Sequence, residues 1–420
     1  MTDPQRELDP GRDRRERDRV YHDAIGREYD AVVVTPRRLL NDLVLGACRP
    51  LVGTGGTMLD LGAGTGHATR QFGRAFRRVV MVDHSAGMLA AARENLTAPG
   101  FAHVRFHEGD VAAFLDRTDA GSVDFIACIG FLHHLGWDEL EALLRRASQL
   151  LAPGGRLLVS EPREQPSGAA PPEVLAWNQA AAVPGYGTEP PDEPEEGPID
   201  EKRLRDALDR LGFRLRHAER HWALFPHGGA DPSAEVEQMV RLHERFGSSG
   251  NVTTLVLEKP GRVRAFPTWR ERLRTAVSRS WRRSFTADAE AQVRGHLEEP
   301  AEDGAVQGLQ RIRGWLLDGR LGTTSLEAEI DGEPVPSSFC RRPRPDVTDA
   351  IPDARRENPE PGFDGVVDLR GAAPGARCLT IRTLGAGGSA VAATARVVVR
   401  PHPLASRTRE HDAPRRDVAS

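Results

Sequence analysis

Apolar residues in the first 260 positions fall into two alternating patterns. Short continuous runs, rich in branched residues, occupy Thr57–Leu61, Arg78–Asp83, 104–111, 123–130 and 156–160, with later runs at 213–224 and 251–259. Such runs, bounded by turn residues, predict strands buried on both faces. Between them, apolar positions recur three or four apart, as helices require. Val20, Ala24, Ile25 and Tyr29 mark a helix over 20–31, and 39–51 and 68–76 follow. Another opens at His84 and Ser85 and carries Met88, Leu89 and Ala92 on one face. A short helix runs through Phe114, and Leu140, Leu143, Leu144, Ala147 and Leu151 stripe the next behind the acids Asp138, Glu139 and Glu141. Further helices are expected at 174–182, 200–211 and 234–246. Strand and helix in alternation predict an α/β fold, a doubly wound, Rossmann-like sheet of seven strands over residues 20–260.

The pattern then changes. Residues 261–300 read as a basic amphipathic helix and linker: Trp269, Leu273, Val277, Trp281 and Phe285 recur at every fourth place. The stretch 259–283 carries nine positive charges against Glu271 alone. Two readings stand, packing on a neighbouring domain and a peripheral contact with an anionic membrane through 266–285. From 301 to 403, short strands at 309–317, 325–330, 362–369, 377–384 and 393–400 alternate with turns, Asp331-Gly332 among them. That spacing predicts a C-terminal all-β sandwich. The charged ends, 1–19 and 404–420, read as a disordered arm and tail.

Composition narrows the picture in three ways. With 57 basic residues, 61 acidic ones and a net charge of −4, no global field recruits nucleic acid or membrane. Cys48, Cys128, Cys340 and Cys378 form neither a C-x-x-C pair nor a zinc spacing, which fits a reducing compartment. The first residues lack an apolar signal segment, and no run approaches the ~20 residues of a membrane-spanning helix. A cytoplasmic protein is therefore expected.

The chemistry concentrates at Asp60-Leu61-Gly62-Ala63-Gly64-Thr65-Gly66, where a strand meets a helix N-terminus through alternate glycines. Such a turn brings bare backbone and a positive dipole end to a nucleotide. The dinucleotide fingerprint would need glycine at His67, and a carboxylate at Asp60 repels a pyrophosphate while suiting an ammonium and a sulfonium. Asp83 ends the next strand about 20 residues on, where a ribose-binding carboxylate belongs; the competing reading is a helix cap.

These motifs resemble those of the class I S-adenosylmethionine (SAM)-dependent methyltransferases of the small-molecule type. The resemblance implies SAM as cofactor, held by Asp60, Gly62, Ala63, Gly64, Gly66, Asp83 and His84, with Met88 and Ile129 alongside. It also implies that Asp110 accepts from the adenine amino group beside the backbone of Val111, although Asp110 could instead cap the short helix through Phe114. Met88 fits core packing as well as it fits the adenine. In many members the N-terminal helix, here with Tyr29-Asp30, folds over the cofactor, and a plain packing helix is the alternative. Asn/Asp-Pro-Pro-Tyr, the family's signature for methylating base nitrogens, is replaced by Phe131-Leu132-His133-His134-Leu135. That segment resembles enzymes that methylate oxygen or carbon.

Chemistry at an activated methyl requires mainly alignment and removal of a proton. His133 and His134, at the carboxyl end of the fourth strand, are candidate bases, with Glu161 next. No Asp/Glu/His cluster with metal-binding spacing is evident, so a metal-independent reaction is expected. Gly314-Trp315, Ile330-Asp331-Gly332, Arg344-Pro345-Asp346-Val347 and Gly362-Phe363 resemble a sandwich module found beside bacterial glycosyltransferases. Together these resemblances imply O-methylation of a sugar or glycan end. A lipid-like or aromatic metabolite is the runner-up acceptor, and a non-catalytic SAM-binding scaffold is the alternative from another class.

Overall fold

The structure is a computed structural model describing residues 10–26, 29–30, 34–97, 99–166, 169–181, 197–225, 227, 232–261, 293–317, 323–351, 360–385 and 388–401. The basic stretch 262–292, with the proposed membrane contact, lies outside the described residues, as does the tail from 402. The chain divides into two compact units: residues 1–40, 48–229 and 241–280, and residues 41–47, 230–240 and 281–420.

The first unit is built on a seven-stranded sheet. Its strands are β1 (Thr57–Leu61), β2 (Arg78–Asp83), β3 (Val104–Glu108), β4 (Val123–Ile129), β5 (Leu151–Pro162), β6 (Arg214–His221) and β7 (Val252–Glu258). The order is β3-β2-β1-β4-β5-β7-β6; β1 to β5 are parallel, and β7 runs antiparallel to both neighbours. The helices before residue 261 are α1 (Pro10–Ile25), α2 (Thr35–Cys48), α3 (His67–Phe72), α4 (Ala86–Asn95), α5 (Val111–Asp116), α6 (Trp137–Leu150), α7 (Pro172–Ala180), α8 (Glu201–Arg210) and α9 (Pro232–Phe246), of which 41–47 in α2 and 232–240 in α9 are counted with the second unit. Leu59, Leu61, Val80, Val82, Ile126 and Leu157 of the sheet pack with Leu140, Leu143 and Leu144 of α6 and Leu204 and Leu208 of α8 in one buried cluster. Because β1 to β5 are parallel, the segments after each strand meet at one edge. That shared edge is where Gly62, Asp83, Asp110, His133 and Glu161 come together.

Residues 10–19 correct the expectation of a disordered arm, since they form the first turns of α1. The segment has no apolar stripe, but charge pairs one turn apart support it. Arg19 lies 2.6 Å from Glu16 and 2.7 Å from Asp23. Helix α1 then ends at Ile25, short of residue 31, because Gly26 follows and the chain crosses α4 there. The crossing is close: a Cβ on Gly87 would sit 2.6 Å from the Asp23 carbonyl oxygen, and one on Gly26 would sit 2.6 Å from the Gly87 carbonyl carbon. Gly87→Ala is expected to lift α1 off α4 at a cost of about 1–3 kcal/mol, speeding hydrogen exchange across residues 14–26 about 5- to 150-fold. Unchanged exchange there would show that the crossing yields without cost.

The second unit holds two sheets. Its elements are β8 (Arg294–Glu299), β9 (Gly304–Val306), β10 (Leu309–Leu317), β11 (Thr323–Ile330), β12 (Glu333–Val335), β13 (Ser337–Arg342), α10 (Pro345–Ala350), β14 (Gly362–Asp368), β15 (Gly375–Gly385) and β16 (Gly388–Val399). One sheet runs β13-β14-β10-β8 and the other β12-β11-β15-β16-β9, with β9 parallel to β16. Ile312, Leu316, Phe363 and Val367 of the first meet Ile330, Leu379, Ile381 and Val397 of the second in a single apolar cluster. Asp331 (φ 51°) and Gly332 (φ 78°) form the expected tight hairpin between β11 and β12, both in the left-handed region that such a turn demands. Strands β8, β9, β12 and β13 escaped the sequence pattern because they are short or carry charged residues, as in Arg294-Gly295-His296-Leu297-Glu298-Glu299. No described helix is long and apolar enough to cross a membrane.

Candidate functional site

The glycine turn leaves β1 with Gly62, Gly64 and Gly66 at φ 61°, 50° and 91°. All three lie in the left-handed region where side chains are strained. Backbone bonds hold the turn: Ala63 N–H donates to Val82 O (3.1 Å) and Gly66 N–H to Ala63 O (2.9 Å). A Cβ on Gly62 would lie 2.3 Å from the Phe131 ring, whereas no described atom lies within 4 Å of one on Gly64. Among the described residues, open space therefore stands over Gly64, beside the N-terminus of α3.

Asp83 ties the turn to β2. Its Oδ2 accepts from Gly64 N–H and its Oδ1 from Ser85 N–H, both at 2.8 Å. The cap of α4 is Ser85, whose hydroxyl accepts from Met88 N–H at 3.1 Å, so Asp83 is not the helix cap. A carboxylate keeps spare lone pairs after two such bonds, and Asp83 retains capacity for hydroxyl donors. Asp60 lies deeper, 2% exposed, with Oδ2 accepting from the Thr69 N–H (3.0 Å) and hydroxyl (2.7 Å). Burial pushes its pKa up to about 7 against those two hydrogen bonds. Asp60 thus braces α3 from beneath the turn. Met88 is 2% exposed on the buried face of α4, as core packing required. Asp110 caps α5 through Ala113 N–H (2.8 Å), and Val111 begins that helix. Ile129, half-buried, ends β4.

Beyond β4 the chain makes a short 3-10 turn, Leu132–His134. Glu161, fully buried in β5, organises it. Its Oε1 accepts from Phe131 N–H (3.0 Å) and Leu132 N–H (2.9 Å), and its Oε2 lies 2.8 Å from His133 Nδ1. Glu161, expected as the next candidate base, is corrected by this placement: a carboxylate with no exposed surface and three donors orients His133 instead of meeting an acceptor. An Nδ1–H held on Glu161 leaves Nε2 as the basic nitrogen of His133.

His134 and His84 turn to a different carboxylate. His134 Nδ1 lies 3.0 Å from Asp18 Oδ1, His22 Nδ1 lies 3.3 Å from the same oxygen, and His84 Nε2 lies 3.2 Å from Asp18 Oδ2. Burial alone raises the pKa of Asp18, but hydrogen bonds from His134, His22 and His84 outweigh it and hold the carboxyl far below the ordinary range. The expectation that no Asp/Glu/His cluster exists is therefore corrected: the donor atoms of Asp18, His22 and His134 lie within 4.8 Å of one another. The cluster is hidden in the sequence because the charged stretch 10–19 carries no apolar pattern to mark a docked helix, and His134 lies 116 residues from Asp18. The available signal was Asp18 and His22, four apart and so on one face of a helix.

Helix α1 reaches several other parts of the edge. Asp23 accepts from the Ser85 hydroxyl (2.7 Å) and Gly87 N–H (3.0 Å), and Arg15 lies 3.6 Å from Asp110. Asp30 accepts from the Thr65 hydroxyl in the glycine turn and from Asn95 Nδ2 (2.6 Å). The N-terminal segment lies across the edge where the turn, Asp83 and the His133 loop converge.

Residues 58–155 match the family model described as a methyltransferase domain. Among curated proteins, the chain is 31% identical over 156 residues to a ubiquinone/menaquinone biosynthesis C-methyltransferase of Cellvibrio japonicus, covering 34% of this chain and 57% of that protein. It is 34% identical over 130 residues to a trans-aconitate 2-methyltransferase of Paracidovorax citrulli, covering 29% and 47%. The chain thus spans about half the length of the curated relatives it matches. Among solved structures, it is similar to a Burkholderia thailandensis 1,6-didemethyltoxoflavin-N1-methyltransferase (TM-score 0.39, 17% identity, 62% of this chain and 94% of that one). The glycine turn, Asp83, Asp110 and the His133 loop all fall within the segment that matches the methyltransferase-domain model.

Proposed function

We propose that the chain transfers the methyl group of SAM to an oxygen of a small acceptor, a sugar hydroxyl or a glycan end being the acceptor class. The observation that carries the reading is the pairing, at one sheet edge, of a ligand-ready glycine turn with an oriented histidine. Open space over Gly64 and spare acceptor capacity on Asp83 fit the cofactor's amino-acid and ribose portions. When bound, SAM supplies a methyl already activated by its sulfonium, ready for in-line displacement.

The chain's own residues then have two tasks. Gly62, Gly64 and Gly66 receive the cofactor on bare backbone, and Asp83 fixes the turn while accepting from hydroxyls. Asp110 and Val111, at the end of β3, flank the same edge for the adenine. His133 accepts the acceptor's proton at Nε2, because Glu161 holds its Nδ1–H. Helix α1 closes over the edge and excludes water, in keeping with the lid reading of the N-terminal segment.

The acceptor class rests on the resemblance of the second unit to modules beside glycosyltransferases, and its two sheets with a common core support reading it as a sandwich. A second reading, a lipid-like or aromatic metabolite, is favoured by the similarity to a quinone-pathway C-methyltransferase. The deciding experiment incubates the full chain and methyl-labelled SAM with fractionated extract. Acid-labile, water-soluble labelled carbohydrate is expected; label confined to the organic phase selects the second reading. Binding of SAM with no S-adenosylhomocysteine from any fraction would overturn catalysis and leave a scaffold. With an acceptor found, His133→Ala is expected to lower kcat about 100-fold or more.

A further inference from the structure

We propose that Asp18, His22 and His134 form a site for one divalent transition-metal ion of the zinc class, which clamps α1 to the loop after β4. The inference stands apart from methyl transfer and is tested without turnover.

Donor chemistry selects the ion. Two imidazole nitrogens and one carboxylate oxygen suit zinc and its borderline neighbours, whereas magnesium and calcium prefer oxygen alone. Spacing agrees. A tetrahedral ion with bonds of about 2.0–2.1 Å sets its ligands about 3.3 Å apart. Asp18 Oδ1 is 3.0 Å from His134 Nδ1 and 3.3 Å from His22 Nδ1, and all three donor atoms lie within 4.8 Å. Seating an ion among them replaces the hydrogen bond that His22 Nδ1 makes to the Asp18 carbonyl oxygen at 2.9 Å and releases the protons that the imidazoles hold toward Asp18.

Placement adds two further arguments. The side chains are sheltered, at 11% exposure for Asp18 and 13% for both His22 and His134. His84 Nε2 lies 3.2 Å from the other oxygen of Asp18, the kind of outer hydrogen bond that orients a ligating carboxylate. Three protein ligands leave a fourth position to water. Asp18 and His22 share a face of α1, while His134 comes from the loop beyond β4, 116 residues along the chain from Asp18. The ion would therefore join two segments remote in sequence and hold α1 down across the sheet edge.

The test uses the full chain stripped by chelator and then dialysed against zinc or cobalt alone. About one ion per chain is expected, with a dissociation constant of about 1 µM or tighter. The cobalt form should show the intense visible bands of a tetrahedral site, and the metal should slow hydrogen exchange over residues 14–26. Asp18→Asn and His22→Ala should each weaken binding about 30-fold or more, whereas His107→Ala, outside the cluster, should not. Because those variants could loosen α1 by themselves, His22→Cys provides a positive readout: a thiolate ligand adds a near-ultraviolet charge-transfer band to the cobalt spectrum. Substoichiometric binding, binding indifferent to both substitutions, or a cobalt spectrum unchanged by His22→Cys would each overturn the proposal.

Discussion

Gly64→Val is expected to weaken SAM binding about 100-fold or more, near 2.7 kcal/mol, while the first unit stays folded. The backbone at Gly64 has φ 50°, and an L side chain there costs about 1–2 kcal/mol, more when branched at Cβ. That cost is bearable for a domain of this size, because no described atom lies where the first side-chain carbon would go. The same emptiness is the space in which a ligand would rest on the turn. The substitution therefore fills the binding volume more than it disturbs the protein. Gly62→Ala makes the contrast, since its new methyl would meet the Phe131 ring at 2.3 Å and would have to displace the loop that carries His133. Calorimetry with SAM and a thermal melt separate the two effects. Near-normal affinity in Gly64→Val would remove the cofactor from this turn.

Glu161→Gln is expected to lower kcat about 100- to 10,000-fold with little change in KM or melting temperature. An amide keeps one carbonyl oxygen, which can still accept from Phe131 and Leu132 N–H. Its NH2 group then faces His133 Nδ1, which must give up its proton to become an acceptor. The proton moves to Nε2, and the basic nitrogen is lost from the side that would meet an acceptor. Glu161→Ala differs, because it strands two buried N–H groups at about 1–3 kcal/mol each and should destabilise the fold outright. A positioning role also predicts a specific pH signature: the acidic limb of the kcat profile, which follows deprotonation of the base, should shift to lower pH in Glu161→Gln, which a merely structural carboxylate would not cause. Retention of kcat within threefold would take proton removal away from His133.

The two predictions draw on different kinds of information. The glycine turn was legible in the sequence because φ > 0 is written in residue type, and Thr57–Leu61 and Arg78–Asp83 match the observed strands because they are buried on both faces. The Glu161 role was not legible. Its position at the end of the fifth strand could be read, but the donors that occupy it come from residues 28 to 30 places earlier, brought beside it by the pairing of β4 with β5.

Sequence alone determined the alternation of strand and helix, the turn with its acids, and the change of character after residue 260, because these follow from local periodicity and backbone freedom. Only the tertiary structure decided which carboxylate serves which partner. Asp60 braces α3, Asp83 grips Gly64, Glu161 holds His133, and Asp18 gathers three histidines. The physical reason is range: a propensity or a turn acts over a few residues, whereas a buried carboxylate must find donors wherever the sheet order brings them. Helix α1 shows this most plainly. Its first turns, 10–19, are charged and lack an apolar stripe, so no local rule docks them; Arg15 and Asp18, with Asp23 beyond, do so through partners 60 to 120 residues away.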